Sequence, residues 1–142
     1  MTNNHKYYIK YWLPPLLYCL LIFLPSVFGI SINWIKDHDN AIHVGVYAFL
    51  GVLIYRALQS AYKQSNTFML FVFSVMLSSL VGVVDELFQV FSPSRIVDRV
   101  DVLYDFVGSL TGVLIYLLLM TVLKKRKRII KSNDCIKNLL RR

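Results

Sequence analysis

Between residues 11 and 123 the chain alternates apolar runs with short polar breaks, and each run has about the 20 residues that an α-helix needs to cross a bilayer. Runs of this kind leave few choices. Peptide groups in lipid have no water to bond, so the backbone must satisfy itself, as a helix does. Four runs stand out, at about 11–30, 40–61, 67–91 and 100–123. Pro14 and Pro15 suit the first turn of the first run, and Pro25 predicts a kink near its far end. Ser31 to Asp39 reads as a polar loop in which Trp34 is an interfacial anchor. Ser92-Pro93-Ser94 ends the third run, and Asp98 is a candidate N-cap of the fourth. The expected architecture is all-α: a polytopic membrane protein with a bundle of four transmembrane helices over residues 1–123. A basic tail over 124–142 follows.

Composition supports this reading. The chain is 56% hydrophobic, with a mean hydropathy of +0.54. Its formal net charge of +8 would point to nucleic acid in a soluble protein. Here nine of the sixteen Lys and Arg lie at or after Lys124, which suits an anchor against anionic lipid. No basic face remains for a polynucleotide once the helices are in lipid, so nucleic acid is not an expected partner. Cys19 and Cys135 lie in an apolar run and in the tail, so no disulfide framework is expected. The N-terminal apolar run is longer than a signal core and lacks a small-x-small cleavage site, so it reads as a retained helix.

Four helices put both termini on one side. If that side is the cytoplasm, thirteen bases lie inside, and only Lys36, Arg95 and Arg99 lie outside. The positive-inside rule therefore predicts cytoplasmic termini. Seven of the eight acids then share the outer side, with Asp134 the exception. Acids contribute little to orientation, so their grouping is a separate observation. It centres on Asp85 to Asp105, a 21-residue stretch with five acids, two arginines and a glutamine.

Helical periodicity gathers these residues into stripes. Asp39, His43, Tyr47 and Gly51 share one face of the second helix. Ser78, Gly82, Asp85 and Gln89 share a face of the third, and Asp101, Asp105, Gly108 and Gly112 share a face of the fourth. Each stripe is polar at its outer end and small deeper in. Gly108-x-x-x-Gly112 is a close-packing spacing. At 1.5 Å per residue, Asp85, Asp105 and Tyr47 all sit about 7–9 Å below the outer helix ends, so they can converge on one pocket. Glu86 points about 100° from Asp85 on the same helix and faces another wall or another partner.

Two blocks resemble the VanZ-like family of small bacterial membrane proteins. Asp39-Asn40-Ala41-Ile42-His43 with Tyr47 resembles the family's Asp-Lys-x-x-His block and its following tyrosine. Asp85-Glu86-x-x-Gln89, then Pro93, Arg95, Asp101 and Gly108, resembles its second block. Asn40 stands where the family has lysine, Ser94 where it has glycine and Asp105 where it has asparagine. The lost lysine and the gained aspartate make this site more acidic. The resemblance implies a polytopic membrane protein connected with resistance to glycopeptide antibiotics such as teicoplanin. It supplies a theme rather than a reaction.

Candidate catalytic residues are His43, Asp85, Glu86 and Arg95. Candidate binding residues are Asp39, Tyr47, Gln89, Asp98, Asp101 and Asp105. Asp39, one turn from His43, or an acid opposite could orient the imidazole as a base. Arg95 offers a planar fork to a phosphate or carboxylate. The seven outer acids exceed the three outer bases, which calls for a proton, a cation or a metal. Oxygen ligands from Asp85, Asp101 and Asp105 would suit the divalent cations Mg²⁺, Mn²⁺ or Ca²⁺. A bland reading stands beside each of these. The acids pair with Arg95 and Arg99 to close the bundle, His43 is an interfacial residue, and Tyr47 packs. Three function classes remain: a membrane enzyme acting on a lipid-linked or cell-wall substrate, a non-catalytic head-group-binding or envelope-modulating protein, and a small transporter. The transporter is the weakest, because the inner halves of the helices carry no ionisable path.

Overall fold

The computed structural model describes residues 2–28, 39–90 and 99–139, with side chains placed over 6–25, 40–89 and 100–131. The described chain forms α1 (Thr2–Tyr11), α2 (Leu13–Phe28), α3 (Asp39–Ala61), α4 (Thr67–Val90) and α5 (Arg99–Leu139), with no strand among the described residues. The loop carrying Trp34 and the Ser92-Pro93-Ser94 turn lie outside the described residues.

Three helical segments are long and apolar enough to cross a membrane: Asn40–Ala61, Thr67–Gln89 and Val100–Lys131. Leu13–Pro25 is a shorter apolar helix. Among the described residues the protein is all-helical, with three candidate membrane spans and a fourth, shorter apolar helix. The first apolar run also has a helical leader that periodicity did not reveal. α1 and α2 part at Trp12 because Pro14 and Pro15 lack the N–H groups that would return to Lys10 and Tyr11. The Trp12 amide still reaches the Tyr8 carbonyl at 2.8 Å, and the Leu16 amide reaches Trp12 at 3.3 Å. Pro25 sits inside α2. Between α3 and α4 the break ends at Asn66, whose side chain accepts the Phe68 amide at 2.9 Å and caps α4.

The last helix does not stop where the charges begin. α5 runs unbroken for 41 residues, through Lys124-Lys125-Arg126-Lys127-Arg128 to Leu139. Lysine and arginine are good helix formers, and neither glycine nor proline follows Gly112. At 1.5 Å per residue α5 is ~60 Å long, about twice the hydrocarbon thickness. The backbone has no break at residue 123, where the fourth apolar run ends.

Neighbouring helices run up and down. Tyr7 of α1 meets Ser60 near the end of α3, their hydroxyl oxygens 2.9 Å apart. Phe23 of α2 meets Phe88 near the end of α4, with ring centroids 5.5 Å apart. α3 and α5 therefore run parallel, with α4 antiparallel to both, and α5 packs most extensively on α3. Glycine makes that contact close. A Cβ added at Gly108 would lie 2.9 Å from the Val44 Cα, and one added at Gly112 would lie 2.6 Å from the Ala48 Cα. Only glycine admits helix backbones this near.

Burial is inverted relative to a water-soluble protein. Leu16, Leu20, Leu80, Leu87, Leu103, Phe106 and Leu118 face outward, while His43, Asp85, Glu86, Gln89, Asp101 and Asp105 are buried. Lipid takes the apolar surface, and the polar groups find one another inside. The core is also divided along its length. Tyr55, Leu58, Leu70, Val75 and Val113 form an apolar cluster towards the end where α3 finishes and α4 begins. The ionisable groups occupy the opposite end, where α4 finishes and α3 and α5 begin.

Candidate functional site

The three stripes do meet. The first turns of α3 bring His43 and Tyr47, the last turns of α4 bring Asp85, Glu86 and Gln89, and the first turns of α5 bring Asp101 and Asp105. His43 with Tyr47, Asp85 with Gln89, and Asp101 with Asp105 lie on the faces their periodicity predicts, and Glu86 lies about 100° from Asp85 on α4. All seven are buried, Asp105 and Tyr47 almost completely at 0% and 1% exposure.

His43 is the centre. Its Nδ1 lies 2.7 Å from Asp105 Oδ1, a short buried contact between α3 and α5. Its Nε2 lies 4.0 Å from Asp101 Oδ2, one turn earlier on α5. The two carboxylates thus face the two ring nitrogens, and a carboxylate on Nδ1 fixes both the plane and the tautomer of the imidazole. Tyr47 closes one face, with its ring nearly parallel to that of His43 at 8° and 6.2 Å between centroids.

Asp105 owes its position to what surrounds it. On the α4 side it rests on Gly82, where an added Cβ would lie 2.9 Å from the Asp105 Cγ. A larger residue at 82 would drive the carboxylate away from His43. Below it, Ser109 Oγ donates to the Asp105 carbonyl at 2.8 Å and lies 2.8 Å from Ser78 Oγ on α4. Ser78 in turn points at the Tyr47 carbonyl, 3.5 Å away. These hydroxyls tie the three helices together directly beneath the ionisable groups.

The α4 wall is organised by Gln89. Its amide nitrogen donates to Glu86 Oε1 at 3.0 Å and, at a longer 3.4 Å, to Asp85 Oδ2. Glu86 takes the other wall that the 100° turn from Asp85 offers it, and both are buried. α4 lies in the groove between α3 and α5, so residues 100° apart on its surface can both face protein. A His43 ring nitrogen, a Glu86 oxygen and an Asp101 oxygen lie within 4.8 Å of one another. The anticipated oxygen set of Asp85, Asp101 and Asp105 shares only Asp101 with this group. Asp105 is instead engaged by His43.

Among the described residues, the Tyr47 hydroxyl, Glu86 Oε2 and Asp105 Oδ2 are buried with no hydrogen-bond partner. Orphaned polar atoms are costly and mark places where a proton, water or ion is wanted.

The side chains of Asp39, Arg95 and Asp98 lie outside the described residues. Ser74 and Ser109 were not singled out by sequence reasoning. The signal was present, since Ser74 extends the α4 stripe by one turn below Ser78, and Ser109 follows Asp105 by four residues. Serine in an apolar helix is easily passed over, because it so often bonds its own backbone, as Ser74 does to the Leu70 carbonyl.

The family model described as VanZ/LLP1 matches residues 11–120, which covers α2 to α4, the whole buried cluster and the apolar part of α5. Comparison with curated proteins and with solved structures finds no match.

Proposed function

The chain belongs to the VanZ/LLP1 family, and on that premise we propose that its buried His–carboxylate cluster binds a cell-envelope component at the outer face of the membrane and acts on it. The component is lipid-linked or part of the cell wall, and the action contributes to resistance to glycopeptide antibiotics. The protein crosses the bacterial cytoplasmic membrane four times, with α2 as the first span and both termini inside. The basic end of α5 extends into the cytoplasm against anionic lipid.

The observation that carries this reading is the buried His43–Asp105 contact of 2.7 Å. It commits Nδ1 and turns Nε2 towards Asp101 and Glu86. Purely structural polar contacts do not need three carboxylates around one imidazole, and burying them is costly unless they are paired or hold a ligand. The apolar cluster at the other end speaks against a transport path through a single chain. There Tyr55, Leu58, Leu70, Val75 and Val113 fill the space between the helices.

Two experiments test the proposal. Asp85→Asn, Gln89→Ala, Arg95→Ala and Asp101→Asn are each expected to keep protein level and assembly while lowering glycopeptide resistance to that of cells lacking the protein. Full resistance in all four variants would refute the reading, and degradation of all four would make the cluster structural glue. The topology is tested separately. A cysteine at Ser94 is expected to react with a membrane-impermeant maleimide on intact cells, and a cysteine at Gln64 only after lysis. The reverse pattern would overturn the arrangement. Membrane lipid and cell-wall precursor profiles, with and without the protein, then separate turnover from binding alone.

A further inference from the structure

We infer that His43, Glu86 and Asp101 form a binding site for one first-row divalent cation, of the Mn²⁺ or Zn²⁺ kind. The inference rests on the proposed pocket and names what it holds.

Three helices each contribute one donor. A ring nitrogen of His43 from α3, an oxygen of Glu86 from α4 and an oxygen of Asp101 from α5 lie within 4.8 Å of one another, all buried. Ligand atoms on a shared ion at about 2.0–2.2 Å are separated by roughly 3–4 Å. The 4.0 Å between His43 Nε2 and Asp101 Oδ2 falls in that range and is too long for a hydrogen bond. A small closing rotation of the carboxylates brings the third donor into the same shell.

The groups behind the donors make this more than a cluster of acids. Asp105 holds His43 through Nδ1 at 2.7 Å, which leaves Nε2 as the nitrogen on the Asp101 side. Gln89 holds Glu86 through Oε1 at 3.0 Å. The other Glu86 oxygen, Oε2, is buried and has no hydrogen-bond partner among the described residues. Histidine ligands backed by a carboxylate, and carboxylate ligands backed by an amide, are how proteins orient metal donors. An orphaned carboxylate oxygen on a residue 5% exposed marks a place where a cation is wanted. One imidazole with two carboxylates favours first-row transition ions over Mg²⁺ and Ca²⁺, which prefer oxygen throughout. Three protein donors leave coordination positions for water or for a phosphate or carboxylate of the envelope ligand.

The test uses the full chain, purified, stripped with chelator and placed in phosphatidylcholine nanodiscs. MnCl₂ or ZnCl₂ is added, excess ion is removed, and bound metal is measured by elemental analysis. Wild type is expected to retain one ion per chain. Glu86→Gln and His43→Gln are expected to lose it, Cys135→Ser to keep it, and Gln89→Ala to weaken binding about 10–100-fold. Retention unchanged in Glu86→Gln, or no retention by wild type, overturns the site. Pulsed EPR of the Mn²⁺-loaded wild type needs no variant, and absence of ¹⁴N coupling from an imidazole overturns the site even if the substituted proteins fail to assemble. The two proposals fail separately. Resistance lost in Glu86→Gln, with no metal in wild type, removes the ion and leaves the pocket. Metal bound by wild type, with resistance untouched by the pocket variants, supports the ion and removes the function.

Discussion

Gly112→Leu is expected to leave little folded protein in the membrane. The Cβ it introduces would lie 2.6 Å from the Ala48 Cα and meet the backbone of that residue directly. A side chain can swing aside, but a helix backbone cannot. α3 and α5 must separate over at least a turn, and the seam they share is the most extensive in the bundle. Overpacking a close contact costs about 1–3 kcal/mol when neighbours can adjust, and a backbone contact belongs at or above the upper end of that range. The stability measurement is unfolding of the protein in bicelles by steric trapping or by heat. Ala48→Gly is expected not to rescue Gly112→Leu, because the clash is with the carbonyl and Cα of residue 48 rather than its methyl group. An unchanged midpoint for Gly112→Leu would mean that α3 and α5 do not approach as described. The His43–Asp105 contact, two turns along the same seam, would then need another explanation.

His43→Leu is expected to be the most destabilising single change in the site, while His43→Leu with Asp105→Ala is expected to be milder. Asp105 is 0% exposed, and its only side-chain hydrogen bond among the described residues is to His43 Nδ1. Removing the imidazole leaves a buried carboxylate against Gly82 with neither oxygen paired. Breaking a buried charged pair from one side costs about 3–5 kcal/mol in soluble proteins. In a lipid bundle the reference state also finds partners and the carboxylate can take up a proton, so the lower end, about 3 kcal/mol, is expected. Removing both members abolishes the unpaired group, and at least half of the lost stability is expected to return. A double variant less stable than His43→Leu would show that Asp105 has another partner worth more than His43. The same pair of variants separates glue from site. If the contact only holds helices together, the restabilised double variant recovers any resistance. If it orients a functional imidazole, stability returns and resistance does not.

The two sets of variants probe one geometry. The glycine seam sets how near α3 comes to α5, and that distance lets a short aspartate on one reach a histidine on the other. Gly82 does the same on the α4 side, giving Asp105 the space that a side chain would fill. The serines beneath the site bridge α3, α4 and α5 with hydroxyl contacts and keep the bundle together where burial of carboxylates works against it.

Much of this was legible in the residues. Apolar length alone demanded helices, because a backbone in lipid must satisfy its own hydrogen bonds. The 3.6-residue repeat placed His43 with Tyr47, Asp85 with Gln89, and Asp101 with Asp105 on single faces. The motif blocks carry the family resemblance by themselves, and the family match spans residues 11–120. Gly108 and Gly112 announced a close helix pair without saying which partner they would meet.

What remained was a matter of which groups face each other across gaps, and one helix carries no record of its neighbours. Periodicity offered His43 a partner one turn away at Asp39, whose side chain lies outside the described residues, or an acid opposite. The structure places Asp105 on its Nδ1, from 62 residues along the chain. Periodicity left Glu86 either another wall or another partner, and packing in a groove between two helices set it beside His43 and Asp101. Composition divided the last helix from its basic tail at residue 123, but the backbone continues to Leu139 because lysine and arginine favour helix as well as water. The sequence by itself determined that this is a helical membrane protein of the VanZ/LLP1 family with its polar residues on inward stripes, since length and period are local properties. Only the tertiary structure decided which carboxylate holds the histidine and which three donors converge, because those choices depend on how near the glycines let the helices come.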